Sequence, residues 1–342
     1  MTKRFDQPAV RPDWLATQDE PVIDPKRPII DAHHHLFDRP GNRYLTADYQ
    51  ADLATGHNII ASVFVQARGF YRAAGPEYLY PVGETDHAAQ IARQAFTGKE
   101  PALCAAIVGH ADLTQGAQVR LLLEAHIAAG QGHFRGIRHI LAWDSDVQLL
   151  NPAYPTAEDQ MDSPAFLAGF GELGPLGLSF DAWLHFHQIP RLTRLARRFP
   201  DVPIVLNHCG GILGVGAYDG ARDEVYRVWR RALAELATCP NVSIKIGGLG
   251  MALSGFDFAS RENPPTSEEL AQAWRPIVHS CIDLFGPARA MFESNFPVDK
   301  ASYSYRAGWN AFKRMTADAA DSEVNDLMSG TAGRFYRITL DS

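Results

Sequence analysis

The chain is poor in cysteine, with only Cys104, Cys209, Cys239 and Cys281 among its 342 residues. None of them forms a Cys-x-x-Cys pair, which argues against a zinc ribbon or a thioredoxin-type motif. Scattered cysteines are typical of free thiols in a reducing compartment, so we expect a cytoplasmic protein. A nucleophilic Cys104 or Cys281 is the alternative, but neither stands at a predicted strand end that faces a pocket.

Long apolar runs and an excess of positive charge are also missing. The N-terminal sequence MTKRFDQPAV has no apolar signal core, and no run approaches the length of a membrane-spanning helix. The net charge of -7 argues against nucleic acid or an anionic membrane as the partner. Hydrophobic residues make up 46%, enough for a sizeable core. We expect a small-molecule substrate; a homo-oligomer is compatible with this composition.

Apolar strand patterns alternate with amphipathic helical patterns along the chain. The strand candidates are 28–35, 59–68, 102–110, 134–140, 177–185, 203–209, 241–249 and 289–296, and the helical stretches include 84–98, 116–129, 190–199, 221–237 and 267–285. Eight such units predict an α/β fold, a (β/α)8 TIM barrel. An open doubly wound sheet would favour a glycine-rich turn after the first strand, and here that turn is rich in histidine.

Two segments lie outside this alternation. Residues 1–27 are polar and rich in proline, which predicts an N-terminal arm packed on the domain, and residues 28–342 form a single barrel domain. Insertions at 36–58 and 141–176 would lie over the barrel mouth, and the second has the polar, proline-containing composition of a lid.

The first strand ends in three histidines, and residues two apart on a strand share a face. His33 and His35 therefore point the same way with Asp31 below them, and His34 points to the other face. Two adjacent imidazoles can hold a metal or polarise a carbonyl. A surface histidine cluster at a strand end is the simpler alternative.

The other strands end in polar residues as well. These are Gln66 and Arg68 after the second, His110 after the third, Arg138 and His139 on the fourth, Asp181 and His185 on the fifth, His208 on the sixth, and Asn295 and Asp299 after the eighth. Each of these residues alone could be a helix-capping residue. Because active sites of such barrels lie at the carboxyl ends of the strands, their coincidence predicts a catalytic site.

Three of these motifs together resemble a known family. Asp-Ala-His33-His34-His35, Asn-His208-Cys-Gly-Gly and Ser-Asn295-Phe-Pro-Val-Asp299 are similar to the amidohydrolase-2 family of the amidohydrolase superfamily, in the order found there. The resemblance runs from about residue 28 to residue 336 and is closest to the lactonase-like branch. That branch includes 2-pyrone-4,6-dicarboxylate lactonase, sugar-acid lactonases and 4-sulfomuconolactone hydrolase.

The resemblance implies a hydrolase of the carboxylic ester type that opens a lactone or ester with water. It assigns catalytic roles to His33, His35 and His208, and its eighth-strand acid falls on Asn295. An asparagine cannot accept a proton at neutral pH, so the base must be another group. We expect Asp299 to be that base.

Lys245 guides this choice between the two carboxylates near the eighth strand. Ile244 and Ile246 face the helices, which places Lys245 inside the barrel, where a buried lysine needs a charged partner. Glu293 on the neighbouring strand is the expected partner, which gives it a mainly structural role.

Metal binding is left open by the resemblance. Binuclear members use a lysine on the fourth strand, where this chain has Arg138, so two metals are not expected. His33, His35 and His208 could hold one zinc with an open position for water. Some lactonases of the branch work without metal, and there the histidines and Arg138 would polarise the carbonyl directly.

The substrate is expected to be a small molecule that carries a carboxylate, because arginines near the mouth suit such an anion. The residues assigned to its binding are Gln66, Arg68, Tyr71, His110, His139, Trp143, Asp181 and His185. Arg68 and Arg138 could instead hold the lid in place through Asp144 or Asp146. Two other functions stay open: metal-dependent non-oxidative decarboxylation of an aromatic or enoic acid, and an inactive binding homologue, which Asn295 would explain.

Overall fold

The computed structural model describes residues 7–94 and 100–339. All eight predicted strands are present. The fourth has the predicted bounds, and the other seven are shorter than predicted. They are β1 (Ile29–His34), β2 (Ile59–Val65), β3 (Ala102–Gly109), β4 (Phe134–Ile140), β5 (Ser179–Trp183), β6 (Ile204–Leu206), β7 (Val242–Ile246) and β8 (Ala290–Phe292).

The eight strands form one parallel sheet in which each strand pairs with the next one along the chain. The ends of the sheet approach each other just beyond β1 and β8. The backbone N–H of His35 donates to the carbonyl of Phe296 at 2.8 Å, and that of Asn295 donates to the carbonyl of His33 at 2.9 Å. The sheet is thus a nearly closed barrel with helices between its strands, which confirms the predicted TIM-barrel fold.

The helices follow the predicted periodicity. Those of seven residues or more are Thr46–Leu53, Val82–Gln94, Arg120–Gly130, Pro164–Phe170, Ile189–Arg198, Arg222–Ala237, Ser267–Phe285 and Tyr305–Met315, and the shorter ones are Pro12–Leu15, Asp321–Asn325 and Thr331–Tyr336. His208–Gly211 forms a left-handed turn at the end of the predicted strand 203–209. Residues 95–98 of the predicted helix 84–98 lie outside the described residues. The first insertion contains a hairpin, Phe37–Arg39 with Asn42–Tyr44.

The barrel interior is packed with small apolar side chains, among them Ala32, Val63, Val205 and Met291, and is closed by Tyr336 from the last helix. The larger apolar residues fill the layer between sheet and helices. All four cysteines are buried free thiols. Within residues 7–94 and 100–339, no helix combines the length and apolar character needed to cross a bilayer.

Lys245 lies inside the barrel as predicted, but its partner is not Glu293. Its Nζ donates to Asp181 Oδ2 at 2.7 Å, and both side chains are fully buried. The Tyr336 hydroxyl and the Asn207 amide donate to the same carboxylate. The predicted pairing was therefore wrong: side chains from β5 and β7 meet across the interior, which frees Glu293 for other contacts.

This buried pair leads to a stability prediction. Asp181→Ala is expected to lower the free energy of unfolding by about 3–5 kcal/mol, because it leaves a buried ammonium without its counter-charge. Urea unfolding measures the loss, and the double variant Asp181→Ala/Lys245→Met should recover part of it. A loss below about 1 kcal/mol in the single variant, the range of exposed ion pairs, would contradict the pairing.

Candidate active site

β1 positions its histidines by breaking the regular alternation of a strand. Its pairing with β2 shifts register between Asp31 and His34. His33 and His35 contact each other, with 3.2 Å between their Nε2 atoms. Asp31 does not lie below them as predicted: it accepts hydrogen bonds from Ser294, Tyr49 and Tyr305 on the outer side of the strand. Its role is to tie the end of β8 to β1.

Arg138 reaches this histidine pair from β4. Its Nη1 lies 3.2 Å from His33 Nε2, and its Nη2 donates to the carbonyl of Gln66. Burial lowers the pKa of the guanidinium, which nevertheless stays charged because an arginine starts so high. The site therefore holds a positive group beside two imidazoles. Burial lowers the pKa of both His33 and His35 well below the ordinary value of a histidine, and for His33 the ammonium of Lys245 is the next cause. Both imidazoles are therefore neutral at pH 7.

Glu293 joins two of the histidines. Its Oε1 accepts from His208 Nδ1 at 2.7 Å and from the His208 backbone N–H at 3.0 Å. Its Oε2 lies 2.9 Å from His33 Nδ1, although not in hydrogen-bonding geometry, and because His33 is neutral this contact is not an ion pair. A carboxylate that holds Nδ1–H of an imidazole leaves Nε2 as a proton acceptor, the arrangement used in general-base catalysis.

The chain after β7 makes room for this dyad. A Cβ on Gly248 would lie 2.6 Å from the His208 side chain, and one on Gly247 would lie 2.4 Å from the Glu293 carbonyl. His208 itself has a φ of 54°, in the left-handed region that is costly for a residue other than glycine. The following Gly210 and Gly211 also have positive φ, so the motif Asn-His-Cys-Gly-Gly forms a tight left-handed turn.

Asn295 connects the site to Asp299. Its Nδ2 donates to Asp299 Oδ1 at 2.8 Å, which leaves its Oδ1 without a donor among the described residues. Asp299 also accepts from the backbone of Gly250 and from the Tyr303 hydroxyl. Burial is the main cause that raises the pKa of Asp299 to about 7. Asp299 therefore lies behind Asn295, which forms the cavity wall at this point. Its predicted role as the base stays a prediction.

A divalent metal could be held at this end of the barrel. His33, His208 and Glu293 place one ligand atom each within 4.8 Å of one another. Two imidazoles and a carboxylate are a donor set used by catalytic zinc, so the residues fit such an ion. The predicted set had His35 in place of Glu293, and His35 Nδ1 contacts the carbonyl of Val65, with its Nε2 toward His33.

Four of the six predicted catalytic residues line a cavity of about 230 Å³, and His33 and Asp299 do not. Its lining includes His35, Arg138, His208 and Asn295. Among the described residues that line it there is no aspartate or glutamate, whereas two arginines, Arg39 and Arg138, are present. The cavity therefore favours a polar or anionic ligand.

Of the eight predicted substrate residues only His185 lines this cavity, and Gln66 lies behind its wall. Arg68, Tyr71, His110 and His139 line a second cavity of about 540 Å³, separated from the first by Tyr154. The Tyr154 hydroxyl donates to Gln66 Oε1 at 3.2 Å, which fixes this partition. Arg68 donates a hydrogen bond to the carbonyl of Ala153, so it anchors the insertion 141–176 instead of pointing at the histidines.

The remaining predicted residues divide differently. His185 lines the first cavity, and its Nδ1 contacts the carbonyl of Trp143 at 3.2 Å. Trp143 lines neither cavity, and Asp181 is buried beneath the site with Lys245. Gln7, Arg39 and Tyr154 also line the cavity and were not predicted, because the N-terminal arm, the hairpin and the insertion 141–176 carry no periodic pattern that would indicate where a side chain points.

Comparison with known proteins agrees with this architecture. The amidohydrolase family pattern matches residues 30–338. An uncharacterized protein of Sinorhizobium fredii is 34% identical over 91% of this chain and 98% of its own length. An L-fucono-1,5-lactonase of Burkholderia multivorans is 26% identical over 90% of this chain and 96% of its own length. Two crystal forms of an amidohydrolase from Burkholderia multivorans, with bound HEPES and with bound zinc, superpose with a TM-score of 0.68 at 25% and 24% identity, covering 91% of this chain and 99% of theirs. The chain therefore belongs to the amidohydrolase family.

Proposed function

We propose that this hydrolase opens a small lactone of the sugar-acid type with water, and that the Glu293–His208 pair supplies the base. The observation that carries the proposal is the 2.7 Å contact between Glu293 Oε1 and His208 Nδ1 at the wall of a cavity that also contains Arg138. Membership of the family and the relative named L-fucono-1,5-lactonase support the class of substrate.

The reaction follows from the donors and acceptors around the cavity. Arg138 Nη1 donates to the lactone carbonyl oxygen and stabilises the negative charge that develops there. Asn295 Oδ1 accepts from the attacking water, and His208 Nε2 takes its proton. A carbon–oxygen bond forms from water to the carbonyl carbon, and the bond to the ring oxygen then breaks. His208 returns the proton to that oxygen, which gives a hydroxy acid.

Glu293 makes this proton transfer favourable. As His208 becomes an imidazolium, its Nδ1–H stays hydrogen bonded to a buried carboxylate, which stabilises the new positive charge. Asn295 at the acid position of the family then has a consistent role, since an amide oxygen can orient water without taking its proton.

A divalent ion bound by His33, His208 and Glu293 would supply Lewis-acid polarisation and lower the pKa of a bound water. It would also occupy ring nitrogens on which the proton transfer described above depends. The two arrangements therefore make opposite predictions for chelation.

The proposal is tested with a panel of aldonolactones and simple esters, assayed with enzyme that metal analysis shows to be free of zinc, manganese and iron. We expect the metal-free enzyme to open at least one sugar-acid lactone at the rate of the untreated enzyme. Loss of activity on chelation with recovery on adding zinc would assign the base to a metal-bound water. Failure on every lactone, with release of carbon dioxide from an aromatic acid, would replace the proposal by decarboxylation.

A further inference from the structure

We infer that Gln7, on the N-terminal arm, is a specificity-determining residue whose carboxamide donates a hydrogen bond to an oxygen of the substrate. Gln7 lines the same cavity as His35, Arg138 and His208. The inference rests on the proposed lactone hydrolysis and adds to it a recognition contact from outside the barrel strands.

The orientation of the Gln7 amide follows from the hydrogen bond that its side chain makes with the loop after β7. The backbone N–H of Ala252 donates to Gln7 Oε1 at 3.1 Å. In a carboxamide only the oxygen can accept a hydrogen bond from an N–H. The contact with Ala252 therefore identifies which end of the Gln7 side chain is the carbonyl. The other end, Nε2, has two N–H donors and is buried without a partner among the described residues.

Gln7 is not alone in this respect. Arg138 Nε and His185 Nε2 are also buried without a partner in the part of the chain that the structure describes, and both residues line the same cavity. Buried polar atoms are rarely left unpaired, because each gives up a hydrogen bond to water. Three of them, from the arm, β4 and the chain after β5, converge on one cavity. A ligand rich in oxygen acceptors, such as a polyhydroxy lactone, would satisfy the donors among them.

The arm is held firmly enough to present Gln7. The Trp14 indole donates to the carbonyl of Glu262 at 2.9 Å, and the Ile23 N–H donates to Asn310 Oδ1 at 2.8 Å. Lys313 Nζ contacts the carbonyls of Ile23 and Asp24 at 2.8 Å. The arm is therefore fastened between the loop after β7 and helix Tyr305–Met315, and its N-terminal part reaches the barrel mouth.

Two substitutions separate substrate recognition from attachment of the arm. Gln7→Glu keeps an oxygen for the Ala252 N–H but loses the donor and adds a negative charge, whereas Gln7→Met loses both contacts. Gln18→Met is the matched control, since Gln18 lies on the same arm and does not line the cavity.

The measurements are KM and kcat on the lactone that the wild-type enzyme opens fastest, the melting temperature, and the dissociation constant of L-fuconate by calorimetry. We expect Gln7→Glu and Gln7→Met to raise KM and the dissociation constant by about 10-fold, the worth of one hydrogen bond, with kcat within about twofold. Gln18→Met should match the wild type.

Unchanged KM and dissociation constant in both Gln7 variants would overturn the inference. So would wild-type behaviour of Gln7→Glu with a lowered melting temperature in Gln7→Met, because that pattern means attachment of the arm only. Absence of lactone turnover in the wild-type enzyme would overturn the proposed function instead, and the L-fuconate dissociation constants would still report on Gln7.

Discussion

Replacing His208 with asparagine is expected to lower kcat for lactone opening by about 10²–10⁴-fold, the usual contribution of a positioned base. His208 lines the cavity, and its Nδ1 is held by Glu293 at 2.7 Å. Asparagine can occupy the position without accepting a proton. The measurement is kcat on the best lactone, with circular dichroism and the melting temperature to confirm that the variant folds.

Two further variants, Glu293→Gln and Asp299→Asn, test which carboxylate stabilises the positive charge that His208 acquires in the reaction. Glu293→Gln keeps an oxygen for His208 Nδ1–H but removes the negative charge that would stabilise an imidazolium, so a large fall in kcat is expected. Asp299→Asn should affect kcat less, because Asp299 contacts Asn295, Gly250 and Tyr303 and none of the three site histidines. Full activity in His208→Asn together with a dead Asp299→Asn would return the role of the base to Asp299, as the sequence indicated.

Arg138→Met is expected to reduce kcat/KM by about 10²–10³-fold, equivalent to roughly 3–4 kcal/mol, the contribution of one preorganised donor to a developing oxyanion. Arg138 is 4% exposed and supplies a fixed charge 3.2 Å from His33. Methionine preserves much of the volume and removes the charge. Because the lost contact is strongest in the transition state, kcat should fall more than KM rises.

Arg135→Met on the same strand is the control for this experiment. The Arg135 side chain donates to the carbonyls of Tyr336 and Gly132, away from the cavity. The Arg135→Met enzyme should keep the wild-type kcat, even if its melting temperature falls. An Arg138→Met enzyme with near-normal kinetics would remove the guanidinium from the reaction and leave polarisation to the histidines.

The fold could be predicted because its signals are local. Apolar runs such as those of β2 and β3 are fully or nearly fully buried, and the helical stretches show one apolar face. Parallel strands joined by helices leave few topologies, so the carboxyl ends of the strands could be placed together without coordinates. His33, His35, Arg138, His208 and Asn295 all lie at that end.

What the sequence could not predict depends on contacts between distant segments. The irregularity in β1 turns Asp31 outward, and no residue type signals it. Lys245 pairs with Asp181 instead of Glu293 because of which interior side chains lie at the same height along the barrel axis. The stagger of the strands determines that height. Gln7 reaches the site from an arm whose path is set by the Ala252 and Glu262 contacts.

The most direct test of the account is lactone opening in water enriched in ¹⁸O, starting with L-fucono-1,5-lactone and using a buffer blank to subtract spontaneous hydrolysis. We expect enzyme-dependent formation of the hydroxy acid with one ¹⁸O in its carboxylate, no carbon dioxide, and loss of the enzymatic part of the rate in His208→Asn. A rate equal to the blank across the lactone panel would contradict the account, as would an undiminished rate in His208→Asn.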